Sequence, residues 1–148
     1  MQLAKNVEVR YVGAAVGAAS STDSNSTIVD MAGWDGVIFV TTVTASTATS
    51  VVTLKAEQNT ANSDTGMALL SGASAAATCA VTDDLNGKTL IVSVHKPRER
   101  YVQAVRTTAT ANSAFGQVIA ILYGPKAAPA AAASTTAASA DTVSPAEA

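Results

Sequence analysis

The chain has 148 residues, 48% of them hydrophobic, 14% charged and 4% aromatic, and a net charge of −2. That length holds one domain with a single substantial core; the low charge excludes disorder throughout and, with so few aromatics, a free-standing nucleic-acid binder. Much of the hydrophobic fraction is alanine, and charge falls well short of the roughly 25% of an ordinary domain, so the composition describes a β-rich, small-residue, assembly-bound protein and names no chemistry.

Taken in order, the body over residues 1–126 reads as strands. Residues 6–12 and 27–31 open it as two short extended segments. Over 37–43, Val37, Phe39, Thr41 and Val43 point one way while Ile38, Val40 and Thr42 point the other. Both faces are semi-apolar and β-branched, which suits a central strand of a sandwich. Residues 45–50 are a short polar connection that predicts a hairpin into the strand 51–58, where Val52, Leu54 and Ala56 alternate with Thr53, Lys55 and Glu57. The stretch 67–71 reads as a helical turn. A short strand over 78–82 leads into Asp83-Asp84-Leu85-Asn86-Gly87-Lys88, whose Asn-Gly pair marks a turn.

Leu90, Val92 and Val94 then alternate with Ile91, Ser93 and His95 until Pro97, which has no N–H to donate, stops the ladder. Residues 100–108 resume as a strand, residues 110–113 turn the chain, and residues 117–123 form the last strand. About eight strands at this spacing predict an all-β antiparallel sandwich, with a jelly roll as the expected topology. Residues 127–148 form a low-complexity Ala/Pro/Ser/Thr tail bracketed by Pro129 and Pro145. The tail is expected to act as an extended arm across a partner.

Cys79 is the one cysteine, so no intrachain disulfide or cysteine-based zinc site is available, and it reads as a small buried hydrophobe. The first residues lack a signal-peptide core, and neither uncharged stretch, 36–54 or 127–140, is apolar and long enough to span a bilayer as a helix. A soluble protein made in a host cytoplasm without export is the expectation.

Nothing forms a catalytic set, and no enzyme activity or cofactor is expected. His95 is the one histidine and stands at a strand end. No nucleophile elbow, zinc-protease motif or phosphate-binding loop appears, and Gly13–Gly17 lacks the lysine and strand–turn–helix setting of a phosphate cradle. Asp83-Asp84 could serve as an acid–base pair or hold a hard cation, but their position before Leu85-Asn86-Gly87 favours a turn cap. Asp23-Ser24-Asn25 with Asp30 lacks the glycine and glutamate of an EF-hand loop.

The local charge anomaly is His95-Lys96-Pro97-Arg98-Glu99-Arg100, followed by Arg106. Lys96, Arg98, Arg100 and Arg106 are four of the nine basic residues. The cluster admits two readings: a docking surface whose Arg forks pair carboxylates, or a solvated sheet edge guarded by proline and charge.

Three segments carry a family resemblance: Trp34-Asp35-Gly36-Val37-Ile38-Phe39-Val40, Arg98-Glu99-Arg100-Tyr101-Val102-Gln103-Ala104-Val105, and Ile121-Leu122-Tyr123-Gly124-Pro125-Lys126-Ala127-Ala128-Pro129. In order and spacing over about 25–129 they resemble the capsid decoration, or cement, proteins of tailed bacteriophages. The Ala-rich extension beyond the Pro-Lys end departs from that pattern.

The resemblance implies a virion component on the outer capsid surface. It would bind the major capsid protein as a homo-dimer or homo-trimer and bridge neighbouring capsomers, with no membrane or direct nucleic-acid contact. Lys96, Arg98, Arg100, Arg106, Pro125, Lys126 and Pro129 are the expected partner-contacting residues. The alternatives are a head–tail joining or tail-tube protein and a carbohydrate-binding β-sandwich for host attachment.

Overall fold

The computed structural model describes residue 3 and residues 6–127. The tail expected beyond Ala127, Pro129 included, lies outside the described residues. Ten strands follow one another: β1 (Val7–Gly13), β2 (Val16–Ala19), β3 (Thr22–Asn25), β4 (Val29–Asp30), β5 (Trp34–Ser46), β6 (Val51–Asn59), β7 (Ala68–Thr78), β8 (Thr89–His95), β9 (Tyr101–Ala109) and β10 (Ser113–Pro125).

They form two antiparallel sheets. The first runs β1-β10-β5-β8 with β2 also on β10; the second runs β3-β9-β6-β7 with β4 also on β9. The expected all-β sandwich is what the chain forms. Its pairing is nested: β1 lies beside β10, β3 and β4 beside β9, β5 beside β8, and β6 beside β7. Each successive strand from one end of the chain thus pairs with one counted back from the other.

The core lies between the sheets and follows the period-2 pattern of side chains. The first sheet contributes Val37, Phe39, Val43, Val92, Val94, Val118 and Leu122; the second contributes Val29, Val52, Leu54, Ala56, Val102 and Ala104. β8 alternates strictly between exposed and buried from Thr89 to His95, as its sequence predicts. Cys79 is 1% exposed, and its thiol donates to the Val81 carbonyl at 3.0 Å.

Four local expectations are corrected. The chain does not turn back as a hairpin after β5, because β5 and β6 belong to opposite sheets and residues 47–50 cross between them. The helical turn expected at 67–71 is mostly strand, since β7 begins at Ala68. The strand expected at 78–82 ends at Thr78. Finally, β2 and β3 occupy a stretch read as loop, β2 beginning inside the Gly13–Gly17 segment.

The aspartates near Asn86 act as turn residues. Asp84 Oδ2 accepts from the N–H groups of Ala80 and Val81 at 3.0 and 3.3 Å, and Asn86 Nδ2 donates to Asp83 Oδ1 at 2.9 Å. The Cys79 thiol and those N–H groups hold the Asp84 carboxyl below the usual carboxylate range. No group of three or more His, Cys, Asp or Glu side chains converges as a metal site among the described residues.

Candidate interaction surface

The charged segment after β8 stands at one end of the sandwich. Pro97 ends the β8 ladder, and residues 96–100 loop across to β9. The Lys96 N–H donates to the Asp35 carbonyl at 2.7 Å, with Lys96 itself at φ 50°. Gln58 Oε1 accepts from the N–H groups of Arg98 and Glu99 at 3.2 and 3.3 Å. The loop is therefore tied to both sheets, to β5 through Asp35 and to β6 through Gln58.

Two further segments close on it. The Met31 N–H donates to the Arg100 carbonyl at 2.9 Å, and the Lys126 N–H donates to the Gly33 carbonyl at 2.9 Å. Pro125 stands opposite Trp34 in the β10–β5 ladder. Gly124, at φ +65°, packs close beside Asp35: a Cβ there would come within 2.6 Å of the Asp35 Cβ, so only glycine fits.

These segments surround an open groove of about 570 Å³ lined by Trp34, Asp35, Lys96, Arg98, Arg100 and Lys126, among others. Four of the residues expected at a partner contact thus line one groove, and Pro125 borders it through Trp34. A second groove of about 580 Å³ continues from Lys96, Pro97 and Arg98 between β7 and β8.

The groove is less cationic than the sequence suggests. Arg100 is held by Asp30 in a bidentate pair, Nε to Oδ1 and Nη2 to Oδ2, both at 2.8 Å. That contact drives the Asp30 carboxyl below the usual range and the Arg100 guanidinium further above its own. The guanidinium also sits 5.2 Å from the centroid of the Tyr101 ring. Among the described residues, Lys96, Arg98 and Lys126 form no ion pair. Asp35 and Glu99 share the groove with them, leaving a surplus of one positive charge.

Arg106 is not part of this surface. It is 3% exposed, and its Nη1 donates to the Ala14 and Gly116 carbonyls at 2.7 and 2.8 Å. Burial without a carboxylate partner lowers its pKa. On β9 it has the parity of Val102 and Ala104, so its side chain runs into the sandwich and closes the far end. Strand parity was legible in the sequence, and it separates Arg106 from the loop cations.

Gln58, which lines the second groove, was not singled out as a contact residue, and neither were Trp34 and Asp35 of the first. Their signal was the resemblance segment beginning at Trp34, which places an aromatic and an acid beside the basic loop. His95 is exposed and stacks on Tyr123 with ring centroids 6.1 Å apart, its Nδ1 lying 3.3 Å from the Tyr123 hydroxyl.

No family model and no curated protein matches the chain. Among solved structures it is similar to the PBSX exported protein XepA, with a TM-score of 0.53 and 16% identity over 97% of this chain and 45% of that one. The chain therefore spans less than half the length of that protein. It is also similar to a chain from the disulfide-linked pili of Bacillus endospore appendages, with a TM-score of 0.46 and 13% identity over 82% of this chain and 90% of that one. The likeness to XepA is one of fold.

Proposed function

We propose that this chain is a virion structural protein. It docks on the outer surface of a major capsid shell and ties neighbouring capsomers together, transforming no substrate. The observation that carries this reading is convergence. The segments that resemble capsid decoration proteins, beginning at Trp34, Arg98 and Ile121, are separated in sequence yet meet around one groove. Residues that share a pattern because they share a contact should meet in space, and these do.

The groove has the character of a protein contact. It is open and mixed in charge, with Trp34 packed against the core as a fixed wall and Lys96 and Arg98 available to acidic groups. Each contact needs little affinity, because copies bridging a closed shell engage more than one subunit at once. On this reading residues 127–148 reach an adjacent subunit. The nested strand pairing supports reading the body as a jelly roll.

The test is co-sedimentation of the purified chain with empty shells. Lys96→Glu with Arg98→Glu should lower the bound fraction several-fold while the variant stays folded. Native-like binding by that variant would remove the groove from the contact, and no binding by the unaltered chain would end the proposal.

A further inference from the structure

The outer face of the first sheet is unlike an ordinary solvated sheet face. Its ladders place Val9, Ile121 and Ile38 in one row across β1, β10 and β5, and Tyr11, Ile119, Val40 and Ile91 in the next row, which reaches β8. All point away from the core, since Val37, Phe39, Val92, Ala120 and Leu122 occupy the alternate positions. Val9, Tyr11 and Ile91 are 45%, 44% and 57% exposed. Ile38, Val40, Ile119 and Ile121 between them are half-buried.

Among the described residues, charge is missing from this face. In the strands of the first sheet the formally charged residues are Glu8, Arg10 and Asp35, and each has inward parity. Glu8 and Arg10 stand opposite Leu122 and Ala120 and pair with each other at 2.8 Å. The outer face of the second sheet is the reverse: Lys55 lies 3.7 Å from both Asp23 and Glu57. A one-sided antiparallel sheet normally turns polar residues to water. Here one outer face does so and the other does not.

We infer that this face packs against the same face of a second copy of the chain. An uncharged face has nothing to offer a charged partner, whereas two such faces desolvate each other without stranding a charge. Sheets pack face to face in this manner about 10 Å apart. Two-fold packing also closes, covering both patches, while a head-to-tail arrangement would leave one exposed at each end. With strands about 4.8 Å apart and same-side residues about 6.8 Å apart, the face measures roughly 20 Å each way. That square already includes Ser93 and the Thr42–Thr89 row, so its roughly 400 Å² falls below the roughly 600 Å² per partner at the low end of stable interfaces. The dimer is therefore reversible.

Sedimentation equilibrium on the purified chain from about 1 to about 300 µM, bracketing the weak association expected of a small interface, tests this. Ile91→Lys and Val9→Lys place charges on the face at already exposed edge-strand positions, and circular dichroism checks their fold. Ala76→Lys on β7 places one on the other sheet. The unaltered chain and Ala76→Lys should show a monomer–dimer equilibrium, and the face variants a dissociation constant at least tenfold weaker. Ile91→Ser supplies a milder loss in the same direction should a lysine unfold the chain. A monomer throughout, a stoichiometry other than two, or a dimer indifferent to Ile91→Lys and Val9→Lys would overturn the inference. Because no shell is present, failure here is distinct from failure of shell docking.

Discussion

The ring of Tyr123 lies flat across Gly36, its direct partner on β5, and extends over it to stack on His95 of β8. A side chain at position 36 would occupy the space of the ring, so glycine here makes room for an aromatic bridge over three strands. The bridge borders the groove at Trp34 and Asp35 and joins it to the outer sheet face.

Gly36→Ala should therefore destabilise the fold by about 1–3 kcal/mol, the usual cost of overpacking. Urea unfolding measures it. Combined with Tyr123→Ala, which removes the ring, Gly36→Ala should cost markedly less than it does alone. Equal costs in both backgrounds would show that the contact is not what demands glycine.

Arg106 ties β9 to Ala14 and to β10 through one nitrogen, Nη1, which donates to both carbonyls. Arg106→Met removes the donor of the Ala14 carbonyl and one of the two donors of the Gly116 carbonyl, which keeps Thr41 Oγ1 at 3.3 Å, at about 1–3 kcal/mol in all, but relieves the burial of a charge. Arg106→Lys keeps a buried charge and loses the Nη1 donor to both carbonyls. The lysine variant should be the less stable of the two in urea melts, despite being the nearer chemical relative.

The Asp30–Arg100 pair sets an acid limb of stability. Asp30 has a folded pKa below its ordinary 3.8, so the unfolded chain binds more protons in this range and stability rises with pH. The contribution is complete above about pH 5, a unit above the unfolded value, and is lost as pH falls through the depressed one. The pair is largely exposed, so the effect is small. Asp30→Asn should flatten the slope of the urea midpoint between about pH 2 and 4. An unchanged slope would assign it to other carboxylates.

Removing residues 127–148 should leave the thermal transition of the body unchanged, since the sandwich core described above is built from residues 12–122, and should weaken shell binding at least several-fold. Equal affinity of the truncated and full-length chains for empty shells would remove the arm from the docking mechanism.

Much of the body was legible because large β-branched residues alternate with polar ones; β6 and β8 have the burial their sequences imply. β7 was not, because Ala73, Ala75 and Ala77 face the core while Ser74, Ala76 and Thr78 face water, a contrast too faint in side-chain volume to show a period. The β5–β6 connection misled because loop length does not say whether a chain stays in its sheet or crosses to the other. In β5 two semi-apolar faces suggested a central strand, and β5 does lie between β10 and β8, its second face, with Ile38 and Val40, being the outer one. The groove was half legible: the loop cations stood out by density, but Arg106 joined them only through sequence proximity.

Copy number per assembled particle, measured by quantitative mass spectrometry of purified virions against the major capsid protein, tests the central claim most directly. A shell-docking role predicts hundreds of copies, released without opening the head. About a dozen copies, a multiple of six along a tube, or none at all would contradict it.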